Sequence, residues 1–260
     1  MKVSPVDVLK KYWGYGSFRP LQEEIISVAM QQRDTLVLMP TGGGKSVCYQ
    51  IPALLEEGLS LVVSPLIALM NDQVEQLKQR DIKAACIHSH LHFREIERIL
   101  DAAQFGNLKL LYVAPERLRS PDFILRLKKL PVHRLVIDEA HCVSMWGYDF
   151  RPAYLDIAEV RSWLPGVAMM ALTATASPKV LDDIQEKLEL QNPKIFRAGF
   201  LRSNLKFGVL TVEDKKQRLL KLLQKIPGPA IIYVRSRRQT GELAEWLCQS
   251  GVNSTHYHAG

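Results

Sequence analysis

The feature that most constrains this chain is the run Pro40-Thr41-Gly42-Gly43-Gly44-Lys45-Ser46, set between an apolar strand read over Thr35–Met39 and a helix read over Ser46–Glu56. Three consecutive glycines let backbone N–H groups converge on an anion where any Cβ would obstruct the approach. The helix that follows aims its positive end at the same point. Lys45 can reach the terminal phosphates of a nucleotide, and the Ser46 hydroxyl can bind Mg2+. The strict form of such a loop has glycine six positions before Lys45, where Met39 stands, but the strand–loop–helix context and the Gly-Lys-Ser ending are intact.

A strand running into a turn and a helix is one unit of a parallel sheet, and further units follow. Apolar runs predict strands at Leu59–Val63, Ala84–Ile87, Lys109–Val113, Arg134–Asp138, Ala168–Thr173 and Lys194–Arg197. Helical stretches are read at Leu21–Gln32, Ile67–Arg80, Phe93–Ala103 and Pro178–Leu188. Short strands apolar on both faces and alternating with helices argue for an α/β fold, its parallel sheet covered on both sides. A boundary is expected near 198–210, dividing the chain into residues 1–200 and 201–260. In the second part the pattern predicts helix Asp214–Lys225, a turn at Pro227-Gly228-Pro229, strand Ala230–Val234, helix Arg238–Ser250 and strand Asn253–His256. Two strands are too few for a self-sufficient sheet, so the chain reads as a fragment.

The 260 residues are 47% hydrophobic and 23% charged, which disfavours disorder, collagen and coiled coil. The longest apolar run, Leu59 to Met70, is broken by Ser64-Pro65, too short for a membrane span, and the first residues lack an apolar signal core. Cys48, Cys86, Cys142 and Cys248 show no CxxC spacing, so neither zinc nor a disulfide framework is expected. These features predict a cytoplasmic protein. The net charge is +7, and residues 201–260 hold ten basic and four acidic side chains. That excess fits either a phosphate-facing surface or an ordinary solvated face.

The second chemical element lies 93 residues after Lys45, where the apolar strand Leu135-Val136-Ile137 ends in Asp138-Glu139-Ala140-His141. Asp138, on a strand expected beside the phosphate strand, can hold Mg2+ through water, and Glu139 can deprotonate an attacking water. Alone, such a pair could equally be a helix cap. Further on, Trp146 and Phe150 form an aromatic pair near a helix start with Arg151 beside it, and on the residues alone such a pair reads first as core packing.

Asp138-Glu139-Ala140-His141, the loop ending Gly44-Lys45-Ser46-Val47-Cys48-Tyr49-Gln50, and Leu172-Thr173-Ala174-Thr175-Ala176 resemble superfamily 2 helicases. Tyr15 to Gln22, Ser64 to Gln73, Tyr112 to Leu118 and Trp146 to Pro152 narrow the resemblance to RecQ-type DNA helicases. It runs in the family's order from Tyr12 to Gly260. It implies a RecA-like lobe followed by the start of a second, ATP and Mg2+ as ligands, single-stranded and tailed duplex DNA as partners, 3′-to-5′ translocation, and a bacterial, nucleoid-associated role in repair and recombination. By position, Tyr15 and Arg19 would sandwich adenine and Gln22 would read its edge. Thr41 and Gly42–Gly44 would join Lys45 and Ser46 on the phosphates. Ser64, Asn71, Gln73 and Arg117 would track the strand, Trp146, Phe150 and Arg151 would grip DNA, and Thr173 and Thr175 would couple the ATP site to lobe movement. Met145 and Tyr148 stand where glutamine and histidine are common in the family. Arg235, Arg237 and Arg238 precede the family's later catalytic arginine, and its zinc subdomain is not in this sequence. The fragment alone is therefore expected to bind ATP and DNA with poor turnover. A non-hydrolysing ATP- and DNA-binding module, or an RNA helicase of the same superfamily, are the competing expectations.

Overall fold

The computed structural model describes residues 3–147, 149–199, 204–226 and 228–258, so the expectations touching Tyr148, Arg202, Ser203, Pro227, Ala259 and Gly260 lie outside them. The chain divides into two compact units, residues 1–201 and 202–260.

The first unit runs α1 (Pro5–Trp13), α2 (Gln22–Met30), β1 (Thr35–Leu38), α3 (Lys45–Leu55), β2 (Leu59–Val63), α4 (Ile67–Gln79), β3 (Ala84–Ile87) and α5 (Phe93–Gln104). It continues with β4 (Leu110–Val113), α6 (Pro121–Leu127), β5 (Val132–Ile137), α7 (Ile157–Trp163), β6 (Ala168–Thr173), α8 (Pro178–Lys187) and β7 (Lys194–Arg197). The strands form one sheet in the order β3-β4-β2-β5-β6-β1-β7, with every described pairing parallel.

Alternation along each strand feeds two cores. Leu36 and Leu38 pack with Leu100, Phe123, Val160 and Ile184 from α5 to α8, while Val37 and Met39 pack with Ile25, Ala53 and Val74 from α2 to α4. Helix α1 was not anticipated. Its Ser4 and Asp7 form a reciprocal cap, and Val8 and Leu9 pack on Ile26 and Ile51.

The amino ends of the strands hold buried charges. Asp34 accepts from Arg161 Nη1 (2.7 Å), Met169 N (2.8 Å) and Gln191 N (2.7 Å). Glu56 takes Arg134 Nη2 at 2.6 Å and His133 Nε2 at 3.1 Å, and Arg134 is fully buried.

The second unit contains α9 (Lys215–Lys225) and α10 (Arg237–Gln249), capped by the side chains of Asp214 and Ser236. The strands expected at Ala230–Val234 and Asn253–His256 are not formed among the described residues. A β-strand exists only through a ladder with a neighbour. Ile231 and Tyr233 have none and are 82% and 89% exposed.

Candidate functional site

The glycine loop leaves β1 and turns into α3 through two left-handed residues, Gly42 (φ 76°) and Gly44 (φ 84°). The φ of Gly44 favours glycine, and a Cβ there would lie 2.3 Å from Gln22 Nε2 and push that amide aside. Gln22 is buried: its Oε1 accepts from Arg19 N (2.9 Å) and its Nε2 donates to Gly44 O (3.1 Å). The Arg19 guanidinium donates to Gly42 O. Two of the three side chains expected around a base, Arg19 and Gln22, are thus attached to the loop itself. Lys45 begins α3, where helix N–H groups lack internal acceptors, and its Nζ donates to Met39 O at 3.3 Å.

A cavity of about 670 Å³ opens over this loop. It is lined by Tyr15, Arg19 and Gln22, by Thr41, Gly42, Gly44, Lys45 and Ser46 of the loop, and by Asp138 and Glu139. Residues 93 positions apart therefore share one chamber. One expectation is corrected: β5, which carries Asp138, is not beside β1. Strand β6 pairs with both and lies between them, which brings its terminal Thr173 into the site.

Asp138 accepts from Glu139 N (3.0 Å) and from the Ser64 hydroxyl (3.4 Å). Withdrawal from water and the neighbouring Glu139 charge push its carboxyl up to about 6, against the pull of Lys45 and the two hydrogen bonds. Glu139 sits in the left-handed region (φ 48°), a strained conformation for this residue that turns its side chain away from a strand path. The hydrogen bond from His141 and the charge of Lys45 hold Glu139 below the usual carboxylate range despite burial.

His141, which the sequence reading left without a role, connects the site. Its Nδ1 lies 3.2 Å from Glu139 Oε2 and 2.9 Å from Thr173 Oγ1, and Thr173 Oγ1 accepts from Thr175 N (3.2 Å). Gln50 was also passed over. Its Nε2 donates to Gln73 Oε1 (3.1 Å) and to Tyr112 OH (3.3 Å), joining α3, α4 and β4 under the cavity. Their partners lie 32, 23 and 62 residues away, a distance no local pattern encodes.

The residues expected along a nucleic-acid strand separate into groups. Gln73 lines the cavity, and Ser64 is buried with its hydroxyl on Asp138. Asn71 is exposed and accepts from Cys86 Sγ at 3.1 Å. Arg117 donates to His88 O (2.9 Å) at the end of β3. Arg151 donates to Pro65 O (2.8 Å) and pairs with Asp149 (3.0 Å), and Phe150 is half-buried. Trp146 is 65% exposed, as core packing would not leave it. Among the described residues no helix is long and apolar enough to cross a membrane, and no group of metal-ligating side chains is assembled.

Known proteins resemble this chain. The chain is 42% identical, over its full length, to "ATP-dependent DNA helicase RecQ" of Pasteurella multocida, and 43% identical over 97% of its length to the protein of that name from Bacillus subtilis. It spans 41% and 43% of those two relatives. The fold matches the helicase Lhr of Mycobacterium smegmatis, solved with single-stranded DNA and AMP-PNP, with a TM-score of 0.63 at 18% identity, covering 94% of this chain and 36% of that one. Glycine loop, Asp-Glu-Ala-His turn and Thr173 segment all fall within residues 19–184, which match the model of the DEAD/DEAH box helicases, and the chain belongs to that family.

Proposed function

We propose that this chain is the ATP-binding part of a RecQ-type DNA helicase that couples ATP hydrolysis to 3′-to-5′ movement along single-stranded DNA and to separation of tailed duplexes in repair and recombination. The observation that carries the reading is the meeting of Lys45, Ser46, Asp138 and Glu139 in one chamber.

The residues fit a nucleotide with Mg2+. The loop turns through left-handed Gly42 and Gly44 onto the first residues of α3, and Asp138 is a recessed carboxylate that burial and Glu139 push up to about 6 despite the pull of Lys45. Ser46 and Asp138 would hold Mg2+, which supplies charge neutralisation on the phosphate oxygens when bound. Thr41, the loop amides of Gly42–Gly44 and Lys45 hold the phosphates, Tyr15 and Arg19 flank the base, and Gln22 braces the loop. Glu139 Oε takes the proton of water as its oxygen attacks the γ-phosphorus and the bond to the β–γ bridging oxygen breaks, releasing ADP. His141 orients Glu139, and through Thr173 and Thr175 it senses the segment leading into α8. Trp146 is the stacking platform for an unpaired base, with Phe150 and Arg151 behind it, while Asn71 and Arg117 lie along the sugar–phosphate path.

The test pairs binding with turnover. Lys45→Ala removes most of the ATP·Mg affinity in calorimetry, and single-stranded DNA stimulates the ATPase of the whole protein more than RNA does. Equal ATP affinity in the variant, or equal stimulation by RNA, defeats the reading.

A further inference from the structure

The exposed ring of Trp146 is not bare. Lys179, the second residue of α8, places its Nζ 3.1 Å from the centroid of that ring. The same helix holds the loop a second time: the Ser144 hydroxyl donates to Asp183 Oδ2 at 2.6 Å and accepts from Trp146 N at 3.2 Å. Asp183 also pairs with Lys187 at 3.4 Å. Helix α8 starts five residues after Thr173, the hydroxyl that meets His141. The aromatic loop is therefore moored to α8 on its ring face and through the Ser144 hydroxyl, and α8 is continuous with the segment that touches Glu139 through His141.

We propose that Lys179 is a positioning residue that caps the stacking face of Trp146 and is displaced when single-stranded DNA binds. This rests on the reading of Trp146 as the stacking platform. A nucleobase and an ammonium compete for the same π-face. The ammonium is a mobile, strongly hydrated charge on a four-carbon stem, so an arriving phosphate offers it an alternative partner and the ring is released. In the DNA-free protein the loop is held in one place by Lys179 and Asp183; bound DNA removes the first mooring and leaves the second.

The experiment compares Lys179→Met, Lys179→Arg and Trp146→Ala in the whole protein. Binding of a fluorescently labelled oligonucleotide is measured at high ionic strength, where exposed phosphate contacts are screened. Losing an exposed cation–π contact that DNA must displace tightens binding about two- to fivefold in Lys179→Met, and Lys179→Arg stays near wild type. Trp146 emission without DNA, obtained by difference from Trp146→Phe, shifts in Lys179→Met toward its DNA-bound value. Unchanged or weaker DNA binding by Lys179→Met, with Trp146→Ala still impaired, overturns the cap alone. Unimpaired binding by Trp146→Ala overturns the platform and the cap together.

Discussion

At the amino ends of the strands, Asp34 and Glu56 are carboxylates surrounded by partners: two backbone N–H groups and Arg161 for the first, Arg134 and His133 for the second. At the carboxyl ends of the same sheet, Asp138 meets one backbone N–H and one hydroxyl, and Lys45 makes no ion pair among the described residues, its ammonium resting on a carbonyl. Both ends withdraw charge from water. One end neutralises it in direct ion pairs, and at the other Lys45 lines one cavity with Asp138 and Glu139 and pulls on both without an ion pair to either among the described residues. A ligand carrying both phosphate and metal completes the second end, as the chain itself completes the first. A sheet built this way concentrates its stability at one end and its binding capacity at the other.

The sharpest way to break that contrast is Asp34→Ala. It leaves Arg161 without its buried partner and orphans the N–H groups of Met169 and Gln191. Loss of one member of a buried pair costs about 3–5 kcal/mol, so urea unfolding should show a large drop in midpoint. Nucleotide affinity of the fraction that remains folded should stay near wild type. A drop in ATP affinity without a drop in stability would mean the two ends are not separate in function.

The opposite sign is expected for Asp138→Asn. The folded carboxyl titrates near 6, above its ordinary 3.8, so the folded protein binds more protons than the unfolded chain between those values. Stability without ligand therefore falls as pH rises through that window and stays reduced above it. Removing the charge should stabilise the nucleotide-free protein at neutral pH by roughly 1–3 kcal/mol and flatten its stability between about pH 4 and 6. Mg2+-dependent nucleotide binding should fall at the same time. Thermal melts with and without ATP·Mg check both halves, and a variant less stable than wild type without ligand would contradict the argument.

The chemical end was legible in sequence because its parts are local. A glycine loop needs glycine for steric reasons, and a short β-forming run such as Thr35–Leu38 is buried on both faces of a parallel sheet. What escaped depends on the whole fold. Nothing in Arg134–Asp138 says that β6 will slip between it and β1, because strand order follows from how crossovers pack. Ile231-Ile232-Tyr233-Val234 has the composition of a strand, but a ladder requires a partner that composition does not contain. Ser64 and Gln73 were placed on the strand track by position, and their contacts, Ser64 with Asp138 across 74 residues and Gln73 with Gln50 across 23, are ones no local pattern encodes. The paired charges at the amino ends gave no signal either, since Asp34 meets Arg161 across 127 residues and Glu56 meets Arg134 across 78. Helix α1 was within reach, because Ser4 and Asp7 stand three apart ahead of an amphipathic stretch.

The smallest effect, and the finest test of the contrast, concerns Glu56 and pH. Burial pushes its carboxyl up, but the hydrogen bonds and charges of His133 and Arg134 together outweigh burial and leave it below its ordinary 4.5. A depressed folded value means that the unfolded chain takes up the proton first as the solution is acidified. The stabilisation is therefore complete above 4.5 and is lost as pH falls through the lower folded value, the reverse of the behaviour at Asp138. Glu56→Gln keeps the shape of the side chain and removes its charge, so it mimics the protonated state at every pH. The variant should melt below wild type at neutral pH, and the gap should narrow as the solution becomes more acidic than 4.5. Taking the difference between the two proteins cancels the other carboxylates, which titrate in both. A gap that stays constant with pH would mean that Glu56 contributes through packing alone, and the amino end would then hold its charges without drawing stability from them.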